Sequence, residues 1–343
     1  MYLREHIKRG KELYVEMQLS EANLMEEDWD VAVILDACRY DYFKTFYRYY
    51  FEGELRRVLS KGSCTPEWFR KTFTSKYNDV VYVSANPFIN SSPYVIKGCC
   101  AKKHFYKVID VWAKHWDSEL GTVLPKNVNR YLLKILDRYK GKRIIVHYLQ
   151  PHAPYLSPKY FVIGFNLPDV SKGFVFVPLL PYTFSHKSQR KAILKGNKWF
   201  LHKLEVLSCW CERIAKKTIL GNGFILKLWE VLGMPPRSPL DATRRLYGIK
   251  GLRNAYITNL LIVLETLTYV LEKIDGNIII TSDHGEFLGE RNMYRHPCGI
   301  SDPILRHVPY FIVNKVKKPT KPMFSLYPLK LKLKLMRRFS QKN

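Results

Sequence analysis

Residues 31–41 read VAVILDACRYD: a short apolar run, rich in β-branched side chains, passes without interruption into Asp36. A strand covered on one face alternates apolar and polar side chains, whereas a strand covered on both faces has no polar side to show. Val31 to Leu35 is therefore expected to be a central parallel strand with Asp36 at its carboxyl end. Runs of the same character recur at Asp79 to Ser84 (DVVYVS), Arg143 to Tyr148 (RIIVHY), Asn277 to Thr281 (NIIIT) and His307 to Val313 (HVPYFIV). Helical stretches lie between several of them. Pro125 to Lys140 begins with a proline where a first turn tolerates one, and Asn254 to Ile274 is closed by Asp275-Gly276. The alternation predicts an α/β fold, a mostly parallel central sheet with helices on both faces.

In such sheets the loops that leave the carboxyl ends of the strands converge on the working site. Asp36 ends the first strand, His147 and His152 come from the end of the Arg143 strand, and Asp283-His284 follow the Asn277 strand. Polar groups far apart in sequence are thus expected along one sheet edge.

The chain has 343 residues, of which 47% are hydrophobic, enough to bury a large core. No run reaches the roughly 18 to 20 uninterrupted apolar residues of a membrane span, and MYLREHIKRGKELYVEMQ is too charged for a secretory signal. We expect one soluble catalytic domain over residues 1–313, interrupted by an insertion at about 157–253, and a basic tail over 314–343. The seven cysteines are an odd number without framework spacing, which predicts free thiols in a reducing interior and a cytoplasmic location. Cys209-x-Cys211 has no matching pair, so two packed thiols are expected there rather than a zinc site.

The net charge of +26 is concentrated. Lys159 to Arg253 holds 17 Lys or Arg against 5 Asp or Glu, and Lys315 to Asn343 holds 10 against none. Such a field attracts anionic partners, a phosphate-bearing substrate, an acidic lipid surface or nucleic acid, and charge alone does not choose among them; an anionic ester, lipid- or glycan-linked, and peripheral contact of the tail with the anionic inner membrane surface are expected before nucleic acid. The alternation LKLKLKL within the tail fits either a surface-adsorbed segment or an edge strand.

Thr281-Ser-Asp-His-Gly-Glu286 is the most informative short run, because a carboxylate and an imidazole just past a buried strand offer oxygen and nitrogen ligands at a rigid edge. Asp36 adds a second carboxylate. Lys61-Gly-Ser-Cys-Thr-Pro-Glu-Trp68 reads as a turn entering a helix, with a hydroxyl at its start and Pro66 in the first turn. The same helix start favours a nucleophile attacking an anionic ester, since free N–H groups stabilise negative charge. His152, between Pro151 and Pro154, and His296, in YRHP, are placed to meet substrate or metal. Asp41 is expected to cap a helix from Tyr42 to Phe51 or to pair with Arg39.

These motifs in this order, VILDACRYD, GSCTPEW, HYLQPHAPY, TSDHGEFLGE and YRHP, resemble the alkaline phosphatase and sulfatase superfamily, and within it archaeal sulfatase-like and phosphoglycerol-transferase-like proteins. The resemblance implies an alkaline phosphatase-like fold and a divalent metal, Mn or Zn first and Mg or Ca next, held by Asp36, Thr65, Asp283 and His284. It implies catalysis by Thr65, or by Cys64 on the sulfatase spacing to Pro66, through a covalent enzyme intermediate. His152, His296 and Arg39 would bind the substrate. Trp68 stands where sulfatases carry Arg, and Asp36-Ala37 and Asp283-His284 follow the phosphate-handling branch, so phosphate esters are expected before sulfate esters. Gln150 stands where many relatives have Asp, which predicts a single metal. A catalytically silent basic module that binds membranes or nucleic acid is the rival reading.

Overall fold

The VAVIL run lies at the centre of the sheet. The computed structural model describes residues 19–92, 99–167 and 221–317. Its main sheet contains β1 (Val31–Leu35), β2 (Phe51–Leu59), β3 (Tyr77–Ser84), β4 (Phe105–Asp110), β5 (Arg143–Tyr148), β6 (Ile278–Thr281) and β7 (His307–Val316), in the spatial order β2-β7-β6-β1-β5-β3-β4. β1 pairs in parallel with β5 and β6, and β3 continues the parallel ladder between β5 and β4. Only β7 runs against its neighbours β6 and β2. The α/β class and the mostly parallel sheet are as expected.

Each face of β1 is covered. Val31, Val33 and Leu35 pack with Val81, Val83, Ile144 and Val146 beneath Leu260, Val263, Leu264 and Leu267. Ala32 and Ile34 face the other way, among Tyr82, Ile145, Ile279, Trp68 and Phe69. The first set of covering residues comes from helix α5 (Pro239–Leu271) and the second from α2 (Thr65–Thr72). A strand sandwiched in this way can carry no polar side chain until it ends, which is why its first polar residue, Asp36, lies at the sheet edge.

Two strands of the main sheet escape the sequence reading, β2 and β4, and both are edge strands. The burial along FEGELRRVL alternates, with Glu52, Glu54 and Arg56 outward, so no apolar run marks it. The helix expected from Tyr42 to Phe51 is α1 (Tyr40–Phe46), followed by a 3-10 turn, and Phe51 already belongs to β2. Helix α3 (Pro125–Arg138) begins at the expected proline.

Helix α5 starts well before the expected Asn254, because Ser238 caps it by accepting from Asp241 N–H at 3.1 Å. Gly248, with φ 66° and ψ −172°, breaks the helical geometry partway and hides the first segment from a periodicity search. Among the described residues α5 is the one helix long and apolar enough to cross a membrane, yet its apolar window is 67% buried inside the fold, as a core helix is. Within the expected insertion, α4 (Gly223–Val231) and the first part of α5 are helical. Residues 168–220, which include Cys209, Cys211, His186 and His202, and the tail 318–343 with its LKLKLKL run lie outside the described residues.

Candidate active site

At the carboxyl edge of β1 the chain turns through Ala37, a non-glycine residue at φ 60°. Its N–H donates to Asp283 Oδ1 (3.1 Å), Cys38 N–H donates to Ser282 Oγ (2.8 Å), and Tyr256 Oη donates to Ala37 O (2.7 Å) while accepting from Arg39 N–H (3.0 Å). These bonds hold the turn in the left-handed region and bind the end of β1 to the end of β6. Gly285 is required for close approach: its N–H donates to Leu305 O (2.7 Å), and a Cβ there would meet Ile304 O at 2.0 Å.

Thr65, buried at the first turn of α2, donates from Oγ1 to Asp283 Oδ2 at 2.7 Å and lies 3.3 Å from His284 Nε2. His284 Nε2 is 3.3 Å from Asp283 Oδ2 and 3.7 Å from Asp36 Oδ1. The structure thus brings Asp36, Thr65, Asp283 and His284 to one point from three different loops. The start of α2 is one residue earlier than the turn chemistry suggests. Cys64 is its N-cap, and Thr65 Oγ1 is directed at Asp283 instead of capping.

The hydrogen bonds reveal what the cluster lacks. His284 Nδ1 faces Gly285 O at 2.8 Å, and a carbonyl can only accept, so Nδ1 carries the proton. Burial lowers the pKa of this ring and keeps it neutral, so the bare lone pair of Nε2 faces the carboxylates of Asp36 and Asp283. Asp36 Oδ1 is buried with no hydrogen-bond partner. Lone pairs pointed at one another out of water repel, and a cation between them removes the conflict. The oxygen and nitrogen donor set suits a divalent metal such as Zn or Mn. Burial, reinforced by the charges of Asp283 and Glu286, raises the Asp36 carboxyl well above the usual range. Burial also acts to raise Asp283, yet His284, His147 and the Thr65 and Ala37 hydrogen bonds outweigh it and hold that carboxyl low.

A second cluster adjoins the first. His152, Glu286 and His296 offer ligand atoms that all lie within 4.8 Å of one another. His296 Nδ1 is 3.0 Å from Glu286 Oε1, and Glu286 Oε2 is buried without a partner. Burial pushes Glu286 up to about 7 and His152 down to about 4. Gln150 was read as predicting a single metal, and this cluster offers a second set of donors beside the first. Gln150 turns inward, donating to Val123 O (3.2 Å), and the carboxylate beside the two histidines is Glu286. These residues can hold a second cation.

Both clusters border a cavity of about 330 Å³ whose lining includes Asp36, Thr65, Asn86, His152, Glu286 and His296. Asn86 was missed by the sequence reading, although it stands just past the expected strand end at Ser84. Its Nδ2 donates to Asp36 Oδ2 (2.7 Å) and approaches Thr65 Oγ1 (3.3 Å). Asn259 was missed too. From α5 it donates to His152 O and Pro154 O (both 3.0 Å) and accepts from Leu156 N–H (2.7 Å), fixing the His152 loop. His147 is buried within β5, with Nδ1 2.9 Å from Tyr82 Oη and Nε2 3.8 Å from Asp283 Oδ2.

Two expected residues play other parts. Arg39 is not among the residues lining this cavity; its guanidinium is paired with Asp41 (2.6 Å) and Glu290 (2.8 Å) and donates to Glu286 O (3.2 Å), so it braces the Glu286 loop. Asp41 is its partner, one of the two roles expected for it. Cys64 forms a disulfide with Cys298, Cα–Cα 5.1 Å, which leaves no thiol to act as a nucleophile and overturns the expectation of free cysteines at these positions. The bond ties the start of α2 to the loop after His296. Glu67 adds to the same tie by accepting from Ser63 N–H and Gly299 N–H, both at 3.0 Å.

Closing a loop of 234 residues, this disulfide is expected to contribute about 2–5 kcal/mol to stability. A matching fall in the thermal midpoint on adding reductant, reproduced by Cys298→Ser without reductant, would establish it. Equal midpoints in all three samples would rule it out.

No family model and no curated protein matches the chain. Solved structures do resemble it. The soluble domain of lipooligosaccharide phosphoethanolamine transferase A from Neisseria meningitidis aligns at 14% identity and a TM-score of 0.45, covering 82% of this chain and 75% of that one. Against the whole integral membrane protein the coverage is 91% of this chain and 54% of that one, at 14% identity and a TM-score of 0.43, so the chain spans about half its length. The C-terminal periplasmic domain of EptC from Escherichia coli, solved as a complex with Zn, aligns at 12% identity and 0.44, covering 82% and 71%. These neighbours are alkaline phosphatase and sulfatase superfamily members, and the expected archaeal affinity has no counterpart among them.

Proposed function

We propose that this protein is a metal-dependent hydrolase or transferase of phosphate esters with Thr65 as its nucleophile. The observation that carries this reading is the convergence of Asp36, Thr65, Asp283 and His284, with lone pairs opposed and Asp36 Oδ1 left without a partner. A divalent cation held by these four groups would supply Lewis-acid polarisation of a phosphoryl oxygen and would acidify the Thr65 hydroxyl.

The chain's own groups do the rest. Thr65 Oγ1 sits at the first turn of α2, where the positive end of the helix dipole favours developing negative charge. Its proton lies on the hydrogen bond to Asp283 Oδ2, which receives it as Oγ1 bonds to phosphorus and the bond to the leaving alcohol breaks. The departing alkoxide takes a proton from water. In the second step the oxygen of water or of an acceptor alcohol bonds to phosphorus as the bond to Thr65 Oγ1 breaks; Oγ1 takes its proton back from Asp283, and the attacking group's proton neutralises the hydroxide left by the first step, so water makes the enzyme a hydrolase and an alcohol makes it a transferase. Asn86 orients Asp36, and His152 and His296 line the same cavity, where they would meet the non-bridging oxygens of the ester.

Phosphate is favoured over sulfate because sulfatase chemistry needs a free cysteine for conversion to formylglycine, and Cys64 is bonded to Cys298. A binding-only module has no use for a buried cluster of opposed donors. The disulfide supports an oxidising compartment over the reducing interior suggested by the cysteine count. The basic tail remains our candidate for peripheral contact with an anionic membrane surface.

The test is hydrolysis of bis(p-nitrophenyl) phosphate. We expect turnover that disappears on chelation and returns with added Mn²⁺ or Zn²⁺; activity that survives exhaustive chelation would sink the metal role.

A further inference from the structure

One buried histidine beside Asp283 has no part in this mechanism. His147, near the end of β5, has no exposed surface. The Trp68 ring meets its ring edge-on with 6.0 Å between centroids, and Tyr82, on the adjacent strand β3, places Oη 2.9 Å from Nδ1. Nε2 is 3.8 Å from Asp283 Oδ2, too far for a hydrogen bond, and is buried without a partner. Ligand atoms of Asp36, His147 and Asp283 lie within 4.8 Å of one another, a set that offers the ring as a metal ligand.

The hydroxyl of Tyr82 decides against that. Among the described residues its only hydrogen-bond partner is His147 Nδ1. Were Nδ1–H the donor, two buried groups would be stranded: the Tyr82 O–H would have no acceptor, and the lone pair of Nε2 would lie beside the Asp283 carboxylate. With Tyr82 donating to Nδ1 the hydroxyl is satisfied, and the ring proton must sit on Nε2, which sets an N–H beside Asp283 Oδ2. His284 differs because its Nδ1 faces a carbonyl, which forces the proton away from Nε2.

We propose that Tyr82 and His147 are a pair of positioning residues: Tyr82 fixes the tautomer of the ring, and His147 steadies Asp283 through its Nε2–H without itself ligating the metal. The proposal rests on the metal-dependent reading of the site and adds two residues that act through Asp283. An N–H dipole beside Oδ2 favours the ionised carboxylate, the form that both a cation and the hydrogen bond from Thr65 require. In a site closed to water such a dipole is felt beyond hydrogen-bond distance, because little screens it. A nitrogen that carries a proton has no lone pair to give. The cation is therefore left to Asp36, Thr65, Asp283 and His284, the four groups that already converge.

The experiment reads the ring proton directly. In the full chain labelled with ¹⁵N on its histidine rings, the long-range ¹H–¹⁵N correlation pattern that is absent from His147→Gln belongs to His147. It should show Nε2 protonated and Nδ1 bare in metal-free protein, and the same after saturation with Zn²⁺. A proton on Nδ1 in the metal-free protein, or an Nε2 that loses its proton when Zn²⁺ is added, makes His147 a ligand and overturns the proposal. Chelator competition supplies a second readout. The first equivalent of Zn²⁺ should bind roughly 10- to 100-fold more weakly to His147→Leu, the scale on which groups around a metal site are felt. His147→Gln keeps an N–H donor on that side and should stay within about threefold of the parent; equal losses in the two variants would mean that the donor is not what matters. Tyr82→Phe frees the ring to take either tautomer and should weaken Zn²⁺ binding by up to about tenfold, and it serves if His147→Leu does not fold. A protein with the proton on Nε2 that binds no Zn²⁺ would sink the metal-dependent reading and leave the tautomer assignment standing.

Discussion

Alanine at position 65 is expected to lower phosphodiester turnover by roughly 10⁴-fold or more, the scale on which loss of an attacking group is felt when it acts as a unit with its neighbours. Among the described residues Thr65 Oγ1 is the hydroxyl that both borders the cavity beside Asp36 and hydrogen-bonds to the Asp283 side chain. Serine keeps that oxygen and removes only the methyl group; Thr65→Ser should retain activity within about tenfold of the parent, because positioning is loosened but the nucleophile stays. Metal content should be measured alongside turnover. Asp36, Asp283 and His284 remain in Thr65→Ala, so the variant should still bind metal, and a dead protein with metal present would place the fault in the chemical step. Activity of Thr65→Ala within tenfold of the parent would mean that the nucleophile lies elsewhere.

Asp36→Asn should have two opposite effects. Turnover should fall at least a hundredfold, since a metal-binding carboxylate is lost and even outer groups around such sites are worth 10- to 100-fold. The metal-free protein, however, should become more stable. In the absence of a cation Asp36 is buried beside Asp283 and Glu286, and both burial and those charges raise its pKa. A raised native pKa means that the stability this group allows is fully present below the carboxylate range of the unfolded chain and is lost as pH rises through the native value. Asparagine removes the titration, so the gain at pH 7 should be about 1–3 kcal/mol, typical for relieving a buried group without compensation, and should vanish in acid. The rise in melting temperature on adding Mn²⁺ should shrink with it, because ligand-linked stabilisation follows affinity. A metal-free Asp36→Asn protein that melts below the parent at pH 7 would show that Asp36 is satisfied without a cation.

How far each residue could be read in advance follows from where its information lies. Asp36, Asp283 and His284 were legible because each ends an apolar run that could only be a strand covered on both faces, and the parallel class puts all such ends on one edge. Asn86 obeys the same rule and could have been found by applying it to the end of β3. Glu286 was quoted within its motif, yet nothing in TSDHGE says that its side chain turns toward His152 and His296. A substrate role for Arg39 came only from the resemblance to the family. Asp41 and Glu290 claim its guanidinium in the fold, and Glu290 is 251 residues away.

The sequence by itself determined the class of the sheet, its buried strands, the helix start that carries Thr65 and the edge at which polar groups gather. These follow from patterns within a few residues: a β-branched run that tolerates no polar face, and a proline that suits only a first helical turn. Only the tertiary structure decided that β2 and β4 close the sheet, that α5 begins before its glycine break, that Cys64 is bonded to Cys298 and that Glu286 completes a second donor cluster. Each of these depends on which segments become neighbours when strands are ordered β2-β7-β6-β1-β5-β3-β4. The pairing of side chains more than 200 residues apart, such as Thr65 with Asp283, is set by that order and by close packing around it, for which a linear pattern carries no local signal.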